Sequence, residues 1–236
     1  MTAFGSYVGV VESHLADQHR STGTIFSSSA SDPQMKARLR SGEFNIEQLT
    51  TANSSGLPGA MLHDWGGTAF APGAKAADFE RLMRTYSDYP RYFSPQVVQA
   101  KILAQTEDGA QVLMRIRQKH VITVVMDTSY DISYGRLDSQ RGYSISRSMH
   151  ISEISSPGTA QERAMTAQEE HGFMWRMNTY WTYEERDGGL YLQIESVTLT
   201  RSIPTGLAWI IRPFVESIPR ESLEFTLRSA CAALRK

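Results

Sequence analysis

The chain has 236 residues, 41% of them hydrophobic and 21% charged, with a formal net charge of −1. That balance fits an ordinary globular chain long enough to bury a sizeable core. It argues against a dedicated nucleic-acid binder, which needs a clustered basic surface, and no run of like charge offers an electrostatic membrane anchor.

Residues 1–56 read as an extension and residues 57–236 as the main domain. In the extension, Tyr7, Val10, Val11 and Leu15 sit at helical spacing, and 21–31 is a Ser/Thr/Gly/Ala linker. Residues 4–11 are mildly apolar but lack the basic start and cleavage site of a signal peptide. Asp32-Pro33 marks a helix start followed by Met35 and Leu39, and Phe44 to Ile46 alternates briefly. The turn cluster 53–58 contains Asn53-Ser54-Ser55, a glycosylation pattern short enough to arise by chance.

The main domain opens with a strand over 61–70, ending at Pro72-Gly73. A helix over 74–86 follows, with Phe79, Leu82, Met83 and Tyr86 on one face. Residues 88–95 break it, because each proline disfavours helix at the residue before it. A strand meander comes next, over 97–106, 111–119, 120–134 and 142–154. Asp108-Gly109 is the first hairpin signal in it. The apolar side of the middle strands reads as Ile122, Val124, Met126, Tyr130 and Ile132, then Tyr143, Ile145, Met149 and Ile151. Serines 144, 146 and 148 take the opposite, wet side.

Two longer alternating runs flank Asp187-Gly188. The first, 171–183, places Phe173, Trp175, Met177, Trp181 and Tyr183 on one aromatic and Met-rich wall. The second covers 190–200. A two-residue turn would pair Arg186 with Gly189, Tyr183 with Leu192 and Trp181 with Ile194. Arg176, Asn178, Tyr180 and Glu195 then share the other face. They are solvent-facing if that face is wet, and costly buried charges if it points inward. The chain finishes as a helix carrying Leu207, Ile210, Ile211, Phe214, Val215 and Ile218, with Pro213 expected to kink it and Pro219 to restart it. Leu223, Leu227, Ala230 and Leu234 continue the stripe.

Signatures of chemistry are scarce. Six histidines, at positions 14, 19, 63, 120, 150 and 171, show no metal-ligand spacing. Among them only His63, beside Asp64, and His171, near the start of a strand, stand out as candidates for a role in a site. Nucleophile elbow, phosphate loop and dinucleotide fingerprint are all missing, and no cofactor is expected. The single Cys231 excludes an internal disulfide and reads as a small packed residue among alanines. No stretch reaches the ~20 apolar residues of a membrane span, so no stable membrane insertion is expected. The compartment stays open: cytoplasmic, or periplasmic or secreted if a leader has been removed.

The order of elements, together with Trp65-Gly-Gly-Thr-Ala-Phe-Ala-Pro-Gly73, Asp88-Tyr89-Pro90, Tyr180-Trp-Thr-Tyr-Glu-Glu-Arg-Asp-Gly-Gly189 and Ser202-Ile-Pro-Thr-Gly-Leu207, resembles the START-type SRPBCC superfamily. The resemblance covers roughly residues 58–235. It implies an α+β helix-grip fold, a curved antiparallel sheet wrapped around a long C-terminal helix. It also implies a cavity between them for a lipid, sterol, quinone or polyketide-like molecule. Ten methionines and the aromatic wall suit such a lining, although a packed core uses the same residue types. On this reading Met126, Tyr130, Tyr143, Ile145, Phe173, Trp175, Met177, Trp181 and Ile194 face the ligand, with Ile211 and Phe214 closing the mouth. A non-enzymatic binder of a hydrophobic small molecule is the leading expectation. A cyclase- or dehydratase-type enzyme and an interaction domain with a filled core are the alternatives. No protein partner is indicated.

Overall fold

The computed structural model describes residues 2–20, 32–49, 59–119, 123–201 and 208–235. Helix α1 spans Thr2–Arg20, α2 Pro33–Arg40, α3 Ala76–Arg84, α4 the single turn Tyr89–Tyr92, and α5 Ala208–Leu234. The strands are β1 Asn45–Gln48, β2 Ala60–Pro72, β3 Val97–Gln105, β4 Gly109–Lys119, β5 Thr123–Arg136, β6 Arg141–Ser155, β7 Arg163–Ala164, β8 Arg176–Arg186 and β9 Gly189–Arg201. They form one nine-stranded antiparallel sheet in the order β1-β2-β9-β8-β6-β5-β4-β3, with β7 paired to β6. This is the helix-grip architecture, with the C-terminal helix lying in the concave face of the sheet.

The best-specified joint is the β8–β9 hairpin. Asp187 and Gly188 both hold positive φ, 55° and 76°, the conformation a two-residue antiparallel turn requires. Arg186 faces Gly189, Tyr183 faces Leu192 and Trp181 faces Ile194, the register expected from the alternation. Glu185 of this hairpin accepts the Ala76 amide at 2.8 Å, placing a carboxylate at the positive end of α3. Phe79 of α3 then meets Trp181 and Tyr183 edge-on, at ring distances of 5.2 and 5.4 Å.

The main core lies between the concave face and α5. Leu223, Leu227, Ala230, Cys231 and Leu234 pack against Ala69, Ala71, Leu190, Leu192 and Ile194. Gly67 lets the helix approach closely: a Cβ there would come within 3.2 Å of both Ile194 and Leu223. The helix runs through Pro213 and Pro219 without the expected break.

The convex face is not open. Helix α1 covers it, burying Phe4, Val11 and Leu15 against Leu62, Tyr180, Val197 and Leu199. Further along, α2 sets Leu39 against Phe70 and Tyr191. Asp32 caps α2 as its sequence suggested, accepting the Gln34 amide at 3.4 Å.

Two expectations about orientation are corrected. Residues 171–175 are not strand, so the wall read over 171–183 is interrupted. There the Glu153 carboxylate accepts the amides of His171, Gly172 and Phe173 instead. In β6 the apolar and polar sides are exchanged: Tyr143 and Ile145 face α1, while Ser144, Ser146 and Ser148 face inward, opposite Tyr134, Ile132 and Tyr130 of β5. A bulge opposite Ser129/Tyr130 inserts an extra residue near Met149, which is 63% exposed, and returns Ile151 to the inner face.

Candidate functional site: a cavity under the C-terminal helix

Between β4, β5, β6 and β8 on one side and α4 and α5 on the other lies a cavity of about 140 Å³. Its apolar walls include Met83, Met114, Ile116, Ile132, Met174, Met177, Trp181 and Phe225. Tyr86, Tyr89 and Phe93 form one end, a run of tilted and edge-on rings with centroids 4.9 Å apart at each step. They stand there because the broken helix after α3 turns the chain twice in eight residues, directing successive rings to one side. Polar lining comes from Gln96, Gln118, Ser144, Ser146, Thr179, Ser222 and Thr226. Among the described residues, no Asp, Glu, Lys, Arg or His lines this space.

The tyrosines are the ionisable groups in the wall, and each is held in its protonated form. Burial pushes Tyr130 up to about 12 and raises Tyr86 and Tyr89 further. Their hydroxyls are engaged: Tyr86 meets Tyr134, Tyr89 donates to the Met83 carbonyl at 3.3 Å, and Tyr130 points to the Met177 sulfur at 3.8 Å. A second, polar hollow of about 200 Å³ lies beyond the Tyr86–Tyr134 pair, lined by Glu80, Arg84, Glu107 and Arg136. Met83 and Ser144 border both spaces.

The eleven residues singled out from sequence divide by face. Tyr130, Met177 and Trp181 line the cavity. Met126 and Ile194 point to the same face but are packed among neighbouring side chains, Met126 with Ile151 and Met174, Ile194 with the main core. Tyr143, Ile145 and Trp175 lie on the convex side: Tyr143 stacks on His19 at 4.3 Å, and the other two pack near α1. Phe173 sits in the loop after β7, 37% exposed. Ile211 and Phe214 belong to the first part of α5, whose side chains lie outside the described residues. Met83, Met114, Met174, Tyr86 and Tyr89 were not singled out. For Tyr86 and Met83 the helical stripe of α3 was the available signal.

The face carrying Asn178, Tyr180 and Glu195 is neither solvent nor cavity, because it lies beneath α1. Asp64 and Glu195 are buried there, at 2% and 8% exposure. Tyr7 donates to Asp64 at 2.7 Å, and Glu12 of α1 accepts from Arg147 at 2.7 Å and from Tyr180 at 3.2 Å. Burial raises the titration of both Asp64 and Glu195, and for Glu195 the nearby Asp64 charge adds to it. His63 is on the inner face, 3.1 Å from the Thr200 hydroxyl, and His171 bonds Glu153 at 2.9 Å. No group of three potential metal ligands occurs among the described residues. No helix among them is long and apolar enough to cross a membrane.

No family model and no curated protein matches the sequence. Solved structures are similar in fold. A STAR-related lipid transfer protein from Xanthomonas axonopodis aligns over 81% of this chain and 99% of its own, with TM-score 0.50 and 15% identity. Human STARD10 aligns over 84% and 79%, with TM-score 0.48 and 11% identity. The Zhui aromatase/cyclase from Streptomyces sp. R1128 aligns over 73% and 88%, with TM-score 0.42 and 14% identity. The first of these likenesses carries the assignment: the chain has a START-type helix-grip fold.

Proposed function

We propose that this protein binds an uncharged hydrophobic small molecule in the cavity beneath α5. The observation that carries this reading is an apolar hollow between sheet and helix whose described walls hold no charged side chain. A space of about 140 Å³ is comparable to an apolar cavity of ~150 Å³ that accepts benzene. The likeness in fold to the Xanthomonas lipid transfer protein agrees with it. Apolar burial supplies the affinity, at ~25 cal/mol per Å² before ordering costs are subtracted. A hollow in this place also favours a binder over an interaction domain with a filled core.

The cyclase-type alternative needs a general acid or base within reach of the ligand. The described lining offers only tyrosines whose protons are held tightly, which favours binding over catalysis. The test uses two tryptophans on opposite faces. Trp181→Ala should strongly weaken binding of a benzene-sized apolar probe such as toluene, whereas Trp175→Ala should leave it within about twofold. Unchanged binding by a folded Trp181→Ala protein would reject the cavity as the site. Native mass spectrometry after gentle purification should retain a bound small molecule.

A further inference from the structure

Strand β6 contributes serines, not its own hydrophobic residues, to the cavity. Tyr143 and Ile145 are taken up by α1 on the convex side, leaving Ser144, Ser146 and Ser148 in a row on the concave side. Across the ladder, Ser146 is paired with Thr179 of β8 and Ser144 with Trp181. A hydroxyl row inside an otherwise apolar hollow has a desolvation cost unless each group finds a partner.

The fold uses one of these hydroxyls: Ser148 accepts the Met177 amide at 2.9 Å. The side chains of Ser144, Ser146 and Thr179 make no hydrogen bond to any described residue, yet all three line the cavity. Ser144 is only 5% exposed, and Ser146 and Thr179 are half-buried, so what access these hydroxyls have is through the cavity and the polar hollow beside it. The tyrosine hydroxyls at the other end are already engaged with each other, with the Met83 carbonyl and with the Met177 sulfur. Of the remaining polar lining, Ser222 donates to the Gln96 side chain and Thr226 to the Ser222 carbonyl, so unspent hydrogen-bonding capacity lies on this shelf, beside Met177 and Trp181, and at the Gln118 side chain.

We infer that the ligand is an uncharged ring compound bearing a hydroxyl or carbonyl group, seated with that group on the Ser144–Ser146–Thr179 shelf. This inference rests on the reading of the cavity as a ligand site and specifies the ligand's chemistry and orientation. A serine or threonine hydroxyl both donates and accepts, so it serves an alcohol or a carbonyl equally well. A carboxylate or phosphate would enter a space with no cation in its described walls, and a buried unpaired charge is the costliest group to place there. Cross-strand pairing brings the shelf hydroxyls onto neighbouring strands, so a single polar group can meet more than one of them.

Four probes of similar size test the assignment: phenol and toluene, which exchange a hydroxyl for a methyl, and benzamide and benzoate, which exchange a neutral head for an anion. Dissociation constants are measured by ligand-observed NMR titration for the natural chain, Ser144→Ala and Thr179→Val, each checked for folding by circular dichroism. Phenol and benzamide should bind, each weakened roughly tenfold in at least one variant, the loss expected of a single buried hydrogen bond. Toluene should hold within about twofold throughout, and benzoate should show no saturable binding. If toluene and phenol bind but respond alike to both variants, the shelf assignment falls while the hydrophobic site stands. Saturable benzoate binding would overturn the uncharged class. Failure of all four probes would overturn both the shelf and the proposed function beneath it.

Discussion

The two faces of this sheet are built to different rules. The convex face carries aromatic and aliphatic side chains from β6, β8 and β9 and is covered by α1, yet it also buries Asp64 and Glu195 and holds the half-exposed Arg147–Glu12 pair at its edge. The concave face is covered by α5, carries no charge at its hollow, and mixes hydroxyls with methionines and aromatic rings. The face beneath α1 is filled, with Tyr7–Asp64, Tyr180–Glu12 and Arg147–Glu12 contacts across it. The face with the hollow has polar groups left over. A strongly apolar strand face thus need not be the ligand face; it can equally mark where another helix packs.

The comparison breaks first at α5. Leu227 is fully buried where the helix meets the concave sheet, so Leu227→Ala should cost about 3 kcal/mol of stability, within the range for large-to-small core changes. Urea denaturation would measure it. The same variant should also disturb probe binding, because the helix that carries Leu227 also carries Phe225 and Thr226 into the cavity wall. Leu15 gives the counterpart on the convex face. It is 3% exposed beneath α1, and Leu15→Ala should cost about 2 kcal/mol while leaving probe affinity within about twofold. A large loss of binding in Leu15→Ala would show that the two faces are coupled rather than independent.

The fold was legible where local and long-range signals agreed. The β8–β9 hairpin combined an Asp-Gly turn with alternation on both sides, and its register followed. The Asp108-Gly109 signal was displaced by one step: Thr106 bonds Gly109 across Glu107 and Asp108, and Gly109 opens β4 without positive φ. That glycine serves close approach instead, since a Cβ would lie 2.6 Å from the Ile132 carbonyl oxygen. The facing of β6 was illegible for a different reason. With helices on both sides of the sheet, alternation shows that two faces exist but not which one borders the hollow. The bulge near Met149 then exchanges the parity partway along the strand, so Ile151 and Ile145 point opposite ways despite an even spacing. Phe173 misled because a distant carboxylate, Glu153, organises the backbone from His171 to Phe173, and local sequence carries no trace of that contact; Trp175, whose amide donates to the Leu199 carbonyl, follows that loop.

A further expected effect concerns pH and separates the faces most cleanly. Glu195 titrates higher in the folded chain than an ordinary carboxylate, because burial and then the Asp64 charge disfavour its ionised form. A raised carboxylate contributes stability at low pH and loses it as pH rises through the shifted value. Asp64, also raised by burial, changes in the same sense at lower pH. His19 acts in the opposite sense: burial lowers it from 6.5 to about 4, so its contribution is complete above 6.5 and is lost toward acid. Below 6.5 the two trends oppose one another. Above it, up to about 8, the Glu195 trend is unopposed and stability should fall. Denaturation midpoints should therefore fall over that interval in the natural chain and stay nearly level in Glu195→Gln, which matches the neutral form at every pH. The two proteins should be close in stability below pH 4.5, where the carboxyl is mostly neutral folded or unfolded. The gap should widen from there to about 8 and then hold, because Glu195 is ionised in both states beyond it. Probe binding in the cavity should not follow the same curve, since no described wall residue titrates there. If affinity falls in step with stability, the convex charges influence the concave site and the separation of the faces fails.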